Sequence, residues 1–375
     1  MKLNNIKFIA TAEFGKYLLA KGWHLTSDVN GKAKLWESET YTDFEILQPI
    51  NPMASDFARR VRDLVEVLSK VQDREIDQVA QEINEISDDV IRIRVIHDDV
   101  KDGSIPFNDG VELFIKAKEL LSSAARSLIS HQKEAYSGKT PKIVSDYFDN
   151  LRLSQTEIGS YVLKIESPIL EENNEQNDDL KEPFGRSVSN RIMHSIANLD
   201  HAVELFSKTG NFICFEEVIS AGVGASLCSA LVGLSGRDKK RSIEISLQPS
   251  PYADSKNIKQ LSVMVKSEYI PIIEKAMGYY LNQYTVPLYS LVGRVTKLAR
   301  ELDFGNGNVT ILEKKNSVTG KPKHVEVKVN ESLYNDAIQA HEQSSDMKLT
   351  GTLVISGRKA YLTDVINEKR QSELF

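Results

Sequence analysis

Two stretches of this chain hold the groups best suited to acid–base chemistry. His97-Asp98-Asp99 follows an alternating run that ends at Ile96. A histidine beside carboxylates at a strand end can take up a proton or hold a metal. The same residues, continued by Val100-Lys101-Asp102-Gly103, also make an ordinary turn. The second stretch runs from Arg152 to Tyr161 and is dense in donors and acceptors. Gln155, Thr156, Glu157 and Ser160, with Arg152, can line a ligand or partner surface, or Arg152 can pair with Glu157 as a structural clamp. An enzyme built from these stretches would be hydrolytic, with Asp98, His97 and Glu157 as its catalytic groups. No nucleophile–base set and no HExxH or HxxxH spacing accompanies them, so no catalytic residue, metal site or cofactor is assigned.

Phosphate-binding glycines are incomplete. Gly138-Lys139-Thr140 resembles the end of a nucleotide loop, but position 133 is Lys where that loop needs glycine, and Pro141 obstructs the helix that should follow. Gly222-Val223-Gly224 precedes an apolar helix, yet Leu227 stands where a dinucleotide turn has its third glycine. Close helix packing explains these small residues better. Glu326-Val327-Lys328, with Asp303 upstream, copies the carboxylate–lysine layout of metal-dependent nucleases, a pattern any exposed strand offers by chance.

Basic residues gather instead at two turns near the C-terminus. Lys314, Lys315, Lys321 and Lys323 flank one, and Arg358 with Lys359 forms the other. Basic loop tips can track phosphates. Residues 286–375 carry 13 Lys and Arg against 11 Asp and Glu, whereas the whole chain carries 47 against 53 and a net charge of −6. That balance argues against a general coat for nucleic acid and leaves room for a local patch. Single-strand binders also offer stacking aromatics, and the strand with outward His324, Glu326 and Lys328 has none.

The elements that carry these turns follow from periodicity. Leu291, Gly293 and Val295 alternate with polar neighbours; Val309 to Leu312, the valines 325, 327 and 329, Leu349 to Ile355 and Ala360 to Ile366 give four further strands. Ser332 can cap a helix bearing Leu333, Ala337, Ile338 and His341 between the third and fourth. Five strands with a helix in that place predict an OB-type five-stranded β-barrel. Upstream, residues 1–50 read as a small sheet, followed by a helix with Val61, Leu64, Val65 and Leu68 on one face and Ser55 as its cap. A second helix bears Ile76, Val79, Ile83 and Ile86; a strand covers 90–96; a long helix spans 109–132; and a strand runs from Ile158 to Ile165. Residues 171–182, EENNEQNDDLKE, lack apolar anchors and predict a solvated loop. Beyond it come a helix through Val188 to Phe206, a small-residue helix at 222–234, strands at 243–247 and 261–265, and a helix from Tyr269 to Tyr284.

The expected architecture is therefore α+β: an N-terminal mixed α/β region (1–168), an acidic linker (169–185), a middle α+β region (186–285) that can share a core with the first, and the barrel (286–375). Two cysteines, Cys214 and Cys228, are too few for a disulfide framework and fit a reducing compartment. The apolar run from Phe8 to Ala12 meets Glu13 too soon for a signal peptide, and no run is long enough to span a bilayer, so the cytoplasm is expected.

The segments QTEIGSYV at 155–162, GVGASLCSAL at 222–231 and DAIQAH at 336–341 resemble those of a group of uncharacterised bacterial proteins found in mobile-element or phage-defence neighbourhoods. The resemblance implies a place in an anti-phage system; with no catalytic set in the sequence and basic tips on the barrel, the expected function is a non-enzymatic cytoplasmic subunit or adaptor of a multi-subunit assembly, binding a protein partner, with DNA or RNA contact through the barrel. The resemblance carries no functional residue. The alternatives are the hydrolytic enzyme near Asp98 and 152–161, and a small-ligand sensor. Oligomeric state is not encoded in any pattern here.

Overall fold

A computed structural model describes residues 11–100, 102–154, 161–169, 182–250, 261–301 and 304–366. It is a mixed α+β structure whose contacts divide it into two units, each assembled from three stretches of chain. The first comprises residues 1–114, 139–194 and 241–264; the second comprises 115–138, 195–240 and 265–375.

In the first unit, α1 (Thr11–Ala20) precedes a three-stranded antiparallel sheet of β1 (Trp23–Val29), β2 (Ala33–Ser38) and β3 (Ile46–Pro49). The sheet was expected and α1 was not. Helices α2 (Phe57–Gln72) and α3 (Ile76–Asn84) close a core with Phe14, Trp23, Trp36, Leu68 and Ile83. The N-cap of α2 is Asp56, which holds Arg60 Nε at 2.7 Å, rather than Ser55. The central strand β4 (Asp88–Ile96) is followed in the chain by α4 (Phe107–Ser127), which belongs to this unit only as far as residue 114, α5 (Lys142–Asn150), β5 (Arg152–Leu153), β6 (Val162–Pro168), α6 (Phe184–Thr209), which belongs to it only as far as residue 194, β7 (Ser242–Gln248) and β8 (Leu261–Val265), whose last residue falls in the second unit. These strands form one sheet in the order β5-β6-β4-β7-β8.

Ile91 of β4 lies opposite Ile165 on one side and Leu247 on the other, so β6 and β7 share a sheet although the acidic tract separates them in sequence. Ile91, Ile93 and Val95 point into the core, while Arg92 and Arg94 face the other way, as alternation demands. The tract at 171–182 lies outside the described residues apart from Glu182.

In the second unit, α7 (Ile213–Glu217), α8 (Ala225–Leu234) and α9 (Ile270–Tyr280) lead to β9 (Gln283–Ala299), β10 (Gly307–Glu313), β11 (Lys323–Val329), α10 (Glu331–Glu342), β12 (Asp346–Ser356) and β13 (Lys359–Ile366). The five strands close on themselves in the order β9-β10-β11-β13-β12 and back to β9. Strand β9 is long because its first part pairs with β12 and its end pairs with β10. Arg294 is paired with both partners, and Gly293 just before it leaves room for the Leu312 carbonyl, which a Cβ would strike. Inside the ring lie Leu291, Val309, Ile311, Leu353 and Leu362, together with Val325, Val327 and Val329, which are at most 3% exposed.

The helix falls between the third and fourth strands as expected, but its cap is Asn330, whose side chain accepts from Leu333 N, rather than Ser332. The helix expected to reach Tyr284 stops at Tyr280, and its last residues join β9 instead. No helix among the described residues is long and apolar enough to cross a membrane.

Candidate nucleic-acid interface

Strand direction decides where the basic turns lie. β10 and β11 form an antiparallel hairpin in which Glu313 faces Lys323, so Lys314, Lys315 and Lys321 occupy its tip. β13 runs parallel to β11, with Glu326 beside Tyr361 and Val327 beside Leu362. Both strands therefore begin at the same end of the ring, β11 with Lys323 and β13 with Lys359. Lys314, Lys315, Lys321, Arg358 and Lys359 are exposed there, and Lys323 is half-buried. The two basic turns, separate in sequence, form one patch.

The hairpin is pinned from inside. Tyr289 Oη lies 2.8 Å from both carboxyl oxygens of Glu313, and Asn316 Nδ2 donates to Tyr289 Oη at 2.8 Å and to Glu313 Oε2 at 2.7 Å. Asn316 Oδ1 accepts from Val318 N at 3.0 Å and Thr319 N at 3.1 Å, folding the tip back on itself. All three side chains are buried. Burial pushes the Glu313 carboxyl above the usual carboxylate range, although the hydrogen bonds from Tyr289 and Asn316 oppose it. Burial likewise raises the Tyr289 hydroxyl to about 12.

The outer face next to this patch mixes charge with one aromatic ring. Thr310 pairs with Lys297 and Glu326, and Leu312 with Arg294 and His324. The next strand sets Tyr361 beside Glu326. β11 carries no aromatic residue, as its sequence indicates, but its parallel neighbour supplies Tyr361. Arg294, Lys297 and Tyr361 were missed because the signal that groups them is register, which local patterns do not carry. Arg294 also donates to the Ser344 carbonyl at 2.7 Å.

The other candidates separate. His97 Nδ1 lies 2.7 Å from Asp99 Oδ1, but Asp99 is clamped by Arg241, which also holds Asp109 at 2.6 Å. The Arg241 guanidinium holds the Asp99 carboxyl down at about 2, which makes it a poor base. Asp98 is exposed in the following turn. Arg152 donates to the Asp149 and Leu151 carbonyls at 3.2 and 3.1 Å, at the end of α5. Gln155, Thr156, Glu157 and Ser160, and with them the proposed Arg152–Glu157 clamp, lie outside the described residues, as does Asp303. Among the described residues no three His, Cys, Asp or Glu side chains are grouped to hold a metal.

Gly224 serves packing: its absent Cβ makes room for the Gln132 and Lys133 carbonyls, and Ala225 N donates to Lys133 O at 2.8 Å. That carbonyl occupies a donor that a bound phosphate would need.

Asp88, unremarked in the sequence, lies half-buried near Glu166, Glu13, Glu85 and Asp89. Burial first, then those carboxylates, push its carboxyl up to about 7. The chain matches no family model, no curated protein and no solved structure.

Proposed function

We propose that the closed sheet is an OB-type barrel, and that the protein is a non-enzymatic binding subunit holding single-stranded DNA or RNA at the basic end of that barrel. The order first-second-third-fifth-fourth and back to first, with a helix after the third strand, supports the OB reading. Such barrels use the face of the second and third strands and the loop joining the fourth to the fifth. Here these are β10, β11 and the turn carrying Arg358.

The observation that carries the reading is the meeting of six cationic residues, from two distant turns, at one end of the ring. Cations so clustered gain affinity by releasing counterions from phosphates. A protein partner within a bacterial cytoplasmic assembly, of the anti-phage kind implied by the resemblance at 155–162, 222–231 and 336–341, completes the proposal. The exposed apolar stripe of α4 formed by Phe107, Val111 and Phe114 supports it.

The test replaces Lys314, Lys315, Lys321, Lys323, Arg358 and Lys359 together by neutral residues and measures oligonucleotide binding against salt. The expected result is weaker binding, with a salt slope shallower by up to about 4 if all six meet phosphate. Unchanged affinity and slope would remove the nucleic-acid reading and leave a protein-binding adaptor.

A further inference from the structure

A groove of about 720 Å³ lies within the second unit, between the start of β9, the end of β12, α9 and Phe212. Its floor is a strand pair in which Ser356, Ile355 and Val354 oppose Gln283, Tyr284 and Thr285. Tyr284 lines it and leans on two further rings, with its centroid 5.0 Å from that of Phe212 and 5.2 Å from that of Tyr279. Exposed Lys275 stands on its α9 wall, 6.0 Å from the centre of the Phe206 ring. Glu274 on the same wall is neutralised by Lys239. Gln283, Thr285 and Ser356 add groups that both donate and accept hydrogen bonds.

The groove opens where the basic patch ends. Arg358 and Lys359 follow Ser356 by two and three residues, and Gly357 N donates to the Asn282 carbonyl at 2.9 Å, tying that turn to the start of β9. An aromatic surface beside cations, with short polar side chains around it, is the chemistry that takes an unpaired base and its phosphate in a sequence-tolerant way. An apolar peptide would gain nothing from the cations.

We infer that the groove binds a short segment of single-stranded nucleic acid continuing from the ring, with a base stacked on Tyr284 and phosphates meeting Lys275 and Arg358. This rests on the nucleic-acid reading above. It also extends the binding path beyond the strand face to a surface built jointly by the ring and the helices before it.

The experiment measures fluorescence anisotropy of labelled oligothymidylate and oligouridylate in a series of lengths. It compares the intact protein, Tyr284→Ala, Tyr284→Phe, Lys275→Gln and the six-residue variant of the basic turns. Wild-type affinity rises when the oligonucleotide becomes long enough to leave the ring and enter the groove. Tyr284→Ala loses that gain, binding long oligonucleotides roughly five-fold or more weakly, the effect of losing one stacked base. It leaves short ones unchanged, and Tyr284→Phe keeps the gain. Lys275→Gln, at an exposed position, lowers the salt slope by about 0.7 for long oligonucleotides only.

If the turn variant loses binding while Tyr284→Ala and Lys275→Gln match wild type at every length, the groove inference is overturned and the ring reading stands. If the turn variant binds like wild type, or wild type binds neither polymer, the ring reading falls and takes the groove with it. Should Tyr284→Ala fail to fold, the length-dependent slope of Lys275→Gln decides alone.

Discussion

Replacing Asp89 by Ala is expected to be among the most damaging single changes in the first unit. Asp89 is 0% exposed at the start of β4. It accepts from Arg186 Nε at 2.9 Å, lies 2.8 Å from Arg186 Nη2, and accepts from Ser250 N at 2.9 Å. Arg186 Nη2 also donates to the Ser250 carbonyl at 3.2 Å. One carboxylate thus ties β4 to the first turn of α6 and to the residues after β7, across the acidic tract. Removing it strands a guanidinium whose residue is only 8% exposed and leaves a buried N–H without its acceptor. Breaking such a pair costs about 3–5 kcal/mol, a large share of the ~5–15 kcal/mol of a typical domain.

The assay is urea unfolding followed by tryptophan fluorescence. Both tryptophans of the chain, Trp23 and Trp36, lie in the core that contains Ile86. Ser250 Oγ donates to the Ile86 carbonyl, so loss of the clamp is coupled to that core. With a slope of about 3 kcal/mol/M, the midpoint should fall by roughly 1–2 M. The double variant Asp89→Ala, Arg186→Met should recover part of the loss, because it removes the stranded charge as well. A single-variant loss below about 1 kcal/mol, or a double variant no better than the single, would refute this account of the clamp.

What could be read from the chain follows the range of the interaction that carries it. Alternation placed β4 and the ring strands, because the valines at 325, 327 and 329 meet the core on every second residue. Helices with a full apolar stripe, such as α2, were equally plain. The ten residues of α1 were missed, since among its described side chains only Phe14, Tyr17 and Leu18 are buried. Caps went astray by one or two residues because Ser55 and Asp56, or Asn330 and Ser332, offer similar acceptors, and backbone geometry chooses between them. The basic turns were visible as composition, but their meeting depends on β11 and β13 running parallel. The groove was hidden for a related reason: Gln283 to Thr285 were assigned to a helix or its end, whereas they begin a strand. Asp88 owes its environment to Glu13, Glu85 and Glu166, which only the tertiary fold gathers.

Two further perturbations probe the hairpin and this carboxyl. Asn316→Ala removes the buried amide that holds Glu313, Tyr289 and the Val318 and Thr319 N–H groups. It should cost about 1–3 kcal/mol and speed amide exchange at the hairpin tip while the rest of the ring stays protected; unchanged exchange at Val318 and Thr319 would refute the pinning role. Asp88→Asn should stabilise the protein at alkaline pH and flatten its pH dependence. The folded Asp88 carboxyl titrates at about 7 against an ordinary 3.8, so between those values the native state keeps a proton that the unfolded chain has released. Stability from this group is therefore full below the ordinary value and falls as pH rises towards the folded one, because ionisation sets a half-buried charge near Glu166, Glu13, Glu85 and Asp89. Urea midpoints of variant and wild type should converge at pH ~4 and separate in the variant's favour by pH ~8. A gap that is constant with pH would show that the Asp88 carboxyl is not shifted on folding, and one that grows in favour of wild type towards alkaline pH would show that it is stabilised as the anion; either would refute this account.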